Sequence, residues 1–291
     1  MDRPAAMTAA LALVFNALVW GVSWLPLRWL QERGLHPLWA TVIVFGSVVL
    51  LISLLRPRAW GELLRTPVLW VLVLASGVTN AAYNWAVTLT DVVRVVLLCY
   101  LMPLWAVLFA RLLLGEALTP RALLRVAMAL AGAIIVLWPS GGGLPLPQNL
   151  GEALGLISGI SFALNNTMLR REARRSSEAR ALAMFLGGVL VAGALALVMS
   201  LQPNAAVPFP GPPITPWLAG VALLALVILG SNLALQYGAA RLPAGVTAVV
   251  MVTEVLFASV SAVLLGAGTL TVPLLVGGGL IVAAAVLAAR G

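Results

Sequence analysis

The stretch Tyr83-Asn84-Trp85-Ala86-Val87 finds a counterpart 152 residues later in Leu235-Gln236-Tyr237-Gly238-Ala239. The same offset sets Asn80 on Asn232, Asn84 on Gln236, Trp105 on Phe257 and Ala106 on Ala258. After a one-residue slip, Leu113-Leu114-Gly115-Glu116 falls on Leu264-Leu265-Gly266-Ala267, and Leu118-Thr119-Pro120 echoes Leu270-Thr271-Val272-Pro273. Nearer the start, Trp20-Gly21-Val22-Ser23-Trp24 matches Ser158-Gly159-Ile160-Ser161-Phe162 at an offset of 138. Apolar helices resemble one another by chance, so no single match decides anything. Their shared order does, and it reads as one pattern written twice.

The composition says what medium that pattern serves. Of 291 residues, 62% are hydrophobic and 9% charged, with a mean hydropathy of +1.09. A soluble domain has about 45–50% apolar and about 25% charged residues, so an ordinary soluble protein is excluded. A membrane helix needs about 20 mostly apolar residues. Ten segments qualify as expected spans: 8–27, 38–55, 68–89, 92–113, 121–138, 151–169, 181–200, 217–240, 244–265 and 272–289. The first reads as a retained helix, because no small-residue cleavage site precedes Arg28. All 17 basic residues are Arg, and the formal charge is +8. With the N-terminus inside, only Arg28, Arg33 and Arg94 of those 17 fall outside. That bias fits ten spans with both termini in the cytoplasm. A nucleic-acid partner is not indicated, because the basic residues are spread between long apolar runs.

Ten spans and a twofold pattern give five helices per copy: residues 1–138, a Pro/Gly-rich periplasmic linker at 139–150, and residues 151–291. Five is odd, so the second copy enters the membrane from the opposite side. The expected fold is an all-α integral membrane protein, two inverted five-helix repeats around a central cavity. Inverted repeats are a recurring transporter design, with a midplane site and alternating exposure.

Trp20-Gly21-x-Ser23, Pro103 and Leu-Leu-Leu-Gly-Glu at 112–116 resemble the EamA repeats of the drug/metabolite transporter superfamily. Within it the chain most resembles the YddG-type exporters of aromatic and other amino acids. The resemblance implies solute transport across a bacterial inner membrane without a cofactor, and it alone implies export as the direction. Three positions depart from the pattern: Ala267 replaces a favoured Glu, Val255 a frequent Pro, and Arg28 a frequent Lys.

Polar groups at mid-depth are costly and mark functional candidates. Glu254 is the clearest. A carboxylate there costs roughly 2.5–3.5 kcal/mol or more unless paired or protonated. It reads either as a proton carrier or substrate-amine contact, or as a protonated structural Glu between helices; Met102 is its repeat partner. Asn80 and Asn84, and likewise Asn232 and Gln236, lie one turn apart and line one helix face each. Facing each other across a cavity is one reading of these stripes, with Tyr83 beside the first; interhelical hydrogen bonding is the other. Asn16, Trp20 and Trp24 repeat the spacing in the first helix, as do Ser158, Phe162 and Asn166 in its partner. Tyr100 completes the expected lining. Trp60, Trp70 and Trp217 are expected at membrane interfaces.

Pro26 and Pro103 are expected to break or kink helices and act as hinges. Gly151, Gly155 and Gly159 form a small-residue packing face, and Gly277 to Gly279 another. His36 reads as a loop residue. Arg94 and Arg111 snorkel to interfaces, with Asp91 as a partner for Arg94.

Several chemistries are excluded. A chain without Lys forms no Schiff base with retinal or pyridoxal phosphate and no Walker A loop. One His rules out an H-E-x-x-H zinc site, and the lone Cys99 allows no intrachain disulfide. With Asp only at positions 2 and 91, no mid-span aspartyl dyad exists. The expected protein is no enzyme, and neither cofactor nor metal is called for. No Arg falls at mid-span, so phosphorylated sugars lack their counter-charge. A small zwitterion such as an amino acid, or an organic cation exchanged for protons, suits the remaining groups.

Overall fold

The structure, a computed structural model, describes residues 3–115, 119–138, 146–202, 207–211, 215–239, 241, 250–251 and 253–289. Expected residues 244–249, Glu116 and most of the linker lie outside these, as do the side chains of Gln236 and Pro103. Among the described residues every regular element is a helix. In chain order these are α1 (Arg3–Val22), α2 (Trp24–Glu32), α3 (Pro37–Leu55), α4 (Arg58–Arg65), α5 (Leu69–Leu89), α6 (Val92–Cys99) and α7 (Met102–Leu114). They continue as α8 (Pro120–Leu137), α9 (Leu150–Arg171), α10 (Ser177–Ser200), α11 (Thr215–Ala239), α12 (Thr253–Leu264) and α13 (Val272–Ala289).

Among the described residues, five stretches are long and apolar enough to cross a bilayer: 7–32, 37–55, 92–114, 177–200 and 217–235. Helix α5 passes the same test only together with α4, which meets it at a bend of 103°. Large apolar side chains face outward: Leu54 is 70% exposed and Leu226 67%. In water such a surface is an aggregation liability, whereas a lipid environment solvates it. Between the spans expected at 38–55 and 68–89 the chain forms a further helix, α4. Ala59 and Leu63, four apart, are buried while the flanking arginines stay out, the pattern of an amphipathic helix lying along an interface.

Two of the expected spans are broken, each at the residue its proline dictates. A proline has no N–H to give the carbonyl four residues back. Counting back four from Pro26 reaches Val22, where α1 ends; from Pro103 it reaches Cys99, where α6 ends. At the first break, the Ser23 hydroxyl donates to the Trp20 carbonyl at 2.8 Å.

Helix α1 packs on α11 and α12, while α9 packs on α5, α6 and α7; α3 lies on α10, α8 on α13, α5 on α10 and α11 on α3. Exchanging α1 for α9, α3 for α10, α5 for α11, α6–α7 for α12 and α8 for α13 carries each of these pairings into another of them or, for α3–α10 and α8–α13, onto itself. Glycines bring the closest pairs together. A Cβ at Gly159 would lie 2.6 Å from the Cys99 carbonyl oxygen, and one at Gly277 2.6 Å from the Gly132 carbonyl oxygen. Gly151 and Gly155 meet Thr90 and Val95, so the expected small-residue face of α9 is the seam against α6. Gly278 meets Leu97, but Gly279 faces open space. Within that seam α6 is sunk into the core, with Val92, Val93 and every residue from Val95 to Leu101 buried.

Candidate functional site at the helix breaks

The broken helices place aromatic and acidic groups at the same level. Tyr100 sits in the α6–α7 break and is 3% exposed. Its hydroxyl donates to Glu254 Oε2 at 2.9 Å and lies 2.9 Å from the Met251 carbonyl oxygen, so one proton faces two acceptors. Glu254, in the first turn of α12, is 9% exposed. Among the described residues no Arg pairs with it. Gly21, just before the α1–α2 break, lets that backbone approach the Glu254 carbonyl, which would lie 2.8 Å from a Cβ there.

Apart from the amides, the other expected lining residues lie on α1, α2, α5, α7 and α9. Tyr83 of α5 is buried and within electrostatic reach of Glu254. Trp20 of α1 meets the Tyr83 ring edge-on, centroids 6.3 Å apart. Ser158 of α9 is fully buried beside the Cys99 thiol, its hydroxyl donating to the Gly155 carbonyl at 2.7 Å. Met102 packs half-buried against the same core, and Phe162 is half-buried on α9. Trp24 donates through Nε1 to Ser261 Oγ on α12 at 3.0 Å.

The amides mostly tie helices together. Asn16 donates to the Ser231 hydroxyl of α11 at 2.6 Å and Asn84 to the Thr41 hydroxyl of α3 at 2.9 Å. Asn80 donates back to the Ser76 carbonyl of its own helix at 2.8 Å, and Asn232 is half-buried on α11. The Oδ1 atoms of Asn16, Asn84 and Asn165 are buried without a hydrogen-bond partner among the described residues. Asn166 lies exposed and accepts from Asn165, which is 2% exposed and is the buried amide of that turn. One residue of helical phase, about 100°, separates the two. Asn84, Thr41 and Ser23 border a void of about 10 Å³, the size of one water. Within the first amide stripe, Asn84 thus meets a hydroxyl on a neighbouring helix and Asn80 meets its own helix.

The rim near the start of α6 and α9 holds residues that the sequence reading placed differently. Asp91 caps α6, its Oδ1 accepting from the Arg94 backbone N–H at 3.1 Å and Oδ2 from the Thr269 N–H at 2.8 Å. The Arg94 side chain therefore does not pair with Asp91; its Nε meets Glu152 Oε1 at 2.8 Å. Glu152 in turn accepts from the Gln148 N–H and Asn149 Nδ2, at 2.8 and 3.1 Å. An acid three residues after Asn149 was the available signal, since Asn149 caps α9. Trp217, in the first turn of α11, is 5% exposed and belongs to the core, whereas Trp70 is 41% exposed. His36 is more than a loop residue. Its Nδ1 accepts from the Leu38 N–H at 3.2 Å to cap α3, and burial pushes its pKa down to about 4.

Residues 7–138 match the EamA-like transporter family. No curated protein matches the chain. One solved crystal structure of a protein is similar to it with a TM-score of 0.58 at 22% identity, covering 97% of this chain and 96% of the other. At that identity the likeness speaks for the fold alone.

Proposed function

From an EamA-like transporter domain at residues 7–138, in a multi-pass, all-helical membrane protein, we propose a secondary transporter that exports amino acids. Its cargo is neutral amino acids, aromatic ones included, or related small metabolites, moved across a bacterial inner membrane by alternating access. Ten crossings in two inverted five-helix repeats, 1–138 and 151–291, with both termini cytoplasmic, are the architecture of this reading. The exchange symmetry of the helix pairings and the one-sided Arg distribution support it.

One observation carries the substrate class. Trp20, Tyr83, Tyr100 and Glu254, from four parts of the chain, meet in one largely buried cluster whose only formal charge among the described residues is a carboxyl. A carboxyl binds a substrate ammonium, and aromatic faces bind apolar side chains and cations. Buried amide oxygens without partners offer further acceptors. The breaks before Pro26 and Pro103 flank the cluster, so rocking about them changes which side it faces.

Liposome counterflow tests this reading with a panel of amino acids and organic cations, with and without a pH gradient. Saturable exchange of neutral amino acids is expected; failure of every amino acid overturns it. A second reading, proton-coupled export of lipophilic cations, is favoured by the Tyr100 geometry. A proton on Glu254 would donate to the Tyr100 oxygen and free the Tyr100 hydroxyl for the Met251 carbonyl, satisfying both acceptors. Organic-cation counterflow driven by the pH gradient, without amino-acid exchange, identifies that function.

A further inference from the structure

We propose that the outer rim carries a second binding site for a zwitterion, built around Arg28 and separate from the Glu254 cluster. The proposal rests on the amino-acid reading above and extends it to where cargo leaves or waits.

The site is an open depression of about 570 Å³ at the ends of α2, α5 and α12, bordered by Arg28, Glu32, Thr88, Asp91 and Thr269. Small-molecule sites usually have about 300–1,000 Å³. From Glu254 to the rim at Gly266 is twelve residues, about 18 Å of helix and turn at 1.5 Å per residue, so the two places are distinct.

Arg28 is held ready for an anion. Its Nε donates to the Val87 carbonyl at 2.9 Å and its Nη2 to the Thr90 carbonyl at 2.7 Å. Its Cζ stands 5.3 Å from the Trp24 ring centroid. Those partners fix the guanidinium; Asp91 and Glu32 lie within electrostatic reach of it, but among the described residues neither comes within ion-pair distance. Nη1 and the second Nη2 proton remain for a forked carboxylate contact.

The other half of a zwitterion finds acids in the same depression. Glu32 is exposed at the end of α2 and makes no ion pair among the described residues. Asp91 is half-buried and held by two backbone N–H groups, which leave its charge and further lone pairs toward the opening. A fixed cation and two acids match an α-carboxylate and α-ammonium together. They do not match a ligand carrying only one of those charges.

The test uses the full chain in proteoliposomes bearing Thr269→Cys, labelled from outside with a charged, membrane-impermeant maleimide. Cys99 is buried, so the parent chain is the unlabelled control. L-phenylalanine is expected to slow labelling at least threefold, while N-acetyl-phenylalanine and phenylalanine methyl ester, each lacking one charge, leave the rate unchanged. Protection is expected to disappear with Arg28→Gln, to weaken with Glu32→Gln at the exposed edge, and to persist with Glu254→Gln. No protection, equal protection by the two derivatives, or protection that survives Arg28→Gln overturns the proposal. So does protection lost with Glu254→Gln, which would make the rim a reporter of the inner cluster. Amino-acid counterflow in the parent is measured alongside. Counterflow without protection removes the rim site and leaves the transport reading; protection without counterflow does the reverse.

Discussion

The seam between α6 and α9 holds two polar regions two helical turns apart, and they are built on opposite principles. At the level of Gly159 and Cys99, the nearby acid, Glu254, is met by a neutral hydroxyl. At the level of Glu152, the acid is met by the Arg94 charge and by two N–H donors. A carboxyl with a neutral partner can exchange that partner for a proton or a substrate ammonium without stranding an opposite charge. A carboxylate in a saturated ionic network cannot, because removing one member leaves the other buried and uncompensated. The middle is arranged to change state, and the rim to hold its place.

Overpacking the seam breaks both regions at once and has the largest expected effect. Gly159→Leu drives a side chain into the Cys99 carbonyl, where even a Cβ would stand 2.6 Å away. Loss of a monodisperse protein in size-exclusion chromatography is expected; Gly279→Leu, where the space is open, should leave the profile unchanged. At mid-depth, Tyr100→Phe removes one hydroxyl from the Glu254 carboxyl. A hydrogen bond to a charged group is worth about 1.5–3 kcal/mol, so counterflow is expected to fall about tenfold with folding preserved. At the rim, Glu152→Gln strands Arg94 and should cost about 1–3 kcal/mol, read as a lower Tm in detergent. Transport by this variant should drop far less than by Tyr100→Phe; the reverse order would erase the distinction between the regions.

The smallest effect is a pH dependence away from both. His36 caps α3 only as a neutral ring, and burial sets its folded pKa at about 4. The ordinary value is about 6.5, so below that pH the unfolded chain takes up the proton first. Its contribution is therefore complete above about pH 6.5 and is lost as pH falls toward 4. Comparing Tm against pH for the parent and His36→Gln checks this, since the variant should lack that slope.

Apolar runs and prolines made much of this molecule legible before any coordinate. Among the described residues, helix lies within each expected segment, and the breaks at Val22 and Cys99 follow from Pro26 and Pro103 by counting four residues. The glycine spacing of α9 marked a seam that is there. What sequence could not give was azimuth. Asn165 and Asn166 are equally polar in one dimension, yet one is buried and the other exposed. Partner choice was equally hidden: Asn84 finds Thr41 and Asn16 finds Ser231, single hydroxyls in apolar helices with no pattern to announce them. Helix α4, at 8 residues, was too short to show a period. Arg94 found Glu152 because α9 starts beside it, a fact of packing that no local spacing contains.

The central claim is that the cluster around Glu254 is where the solute binds. Counterflow of labelled L-phenylalanine, measured side by side for the parent and Glu254→Gln in liposomes, tests it most directly. A loss of at least tenfold in the variant, with an unchanged elution profile, is the predicted result. Amino-acid exchange at the parental rate, with only organic-cation transport and its response to a pH gradient abolished, would contradict it.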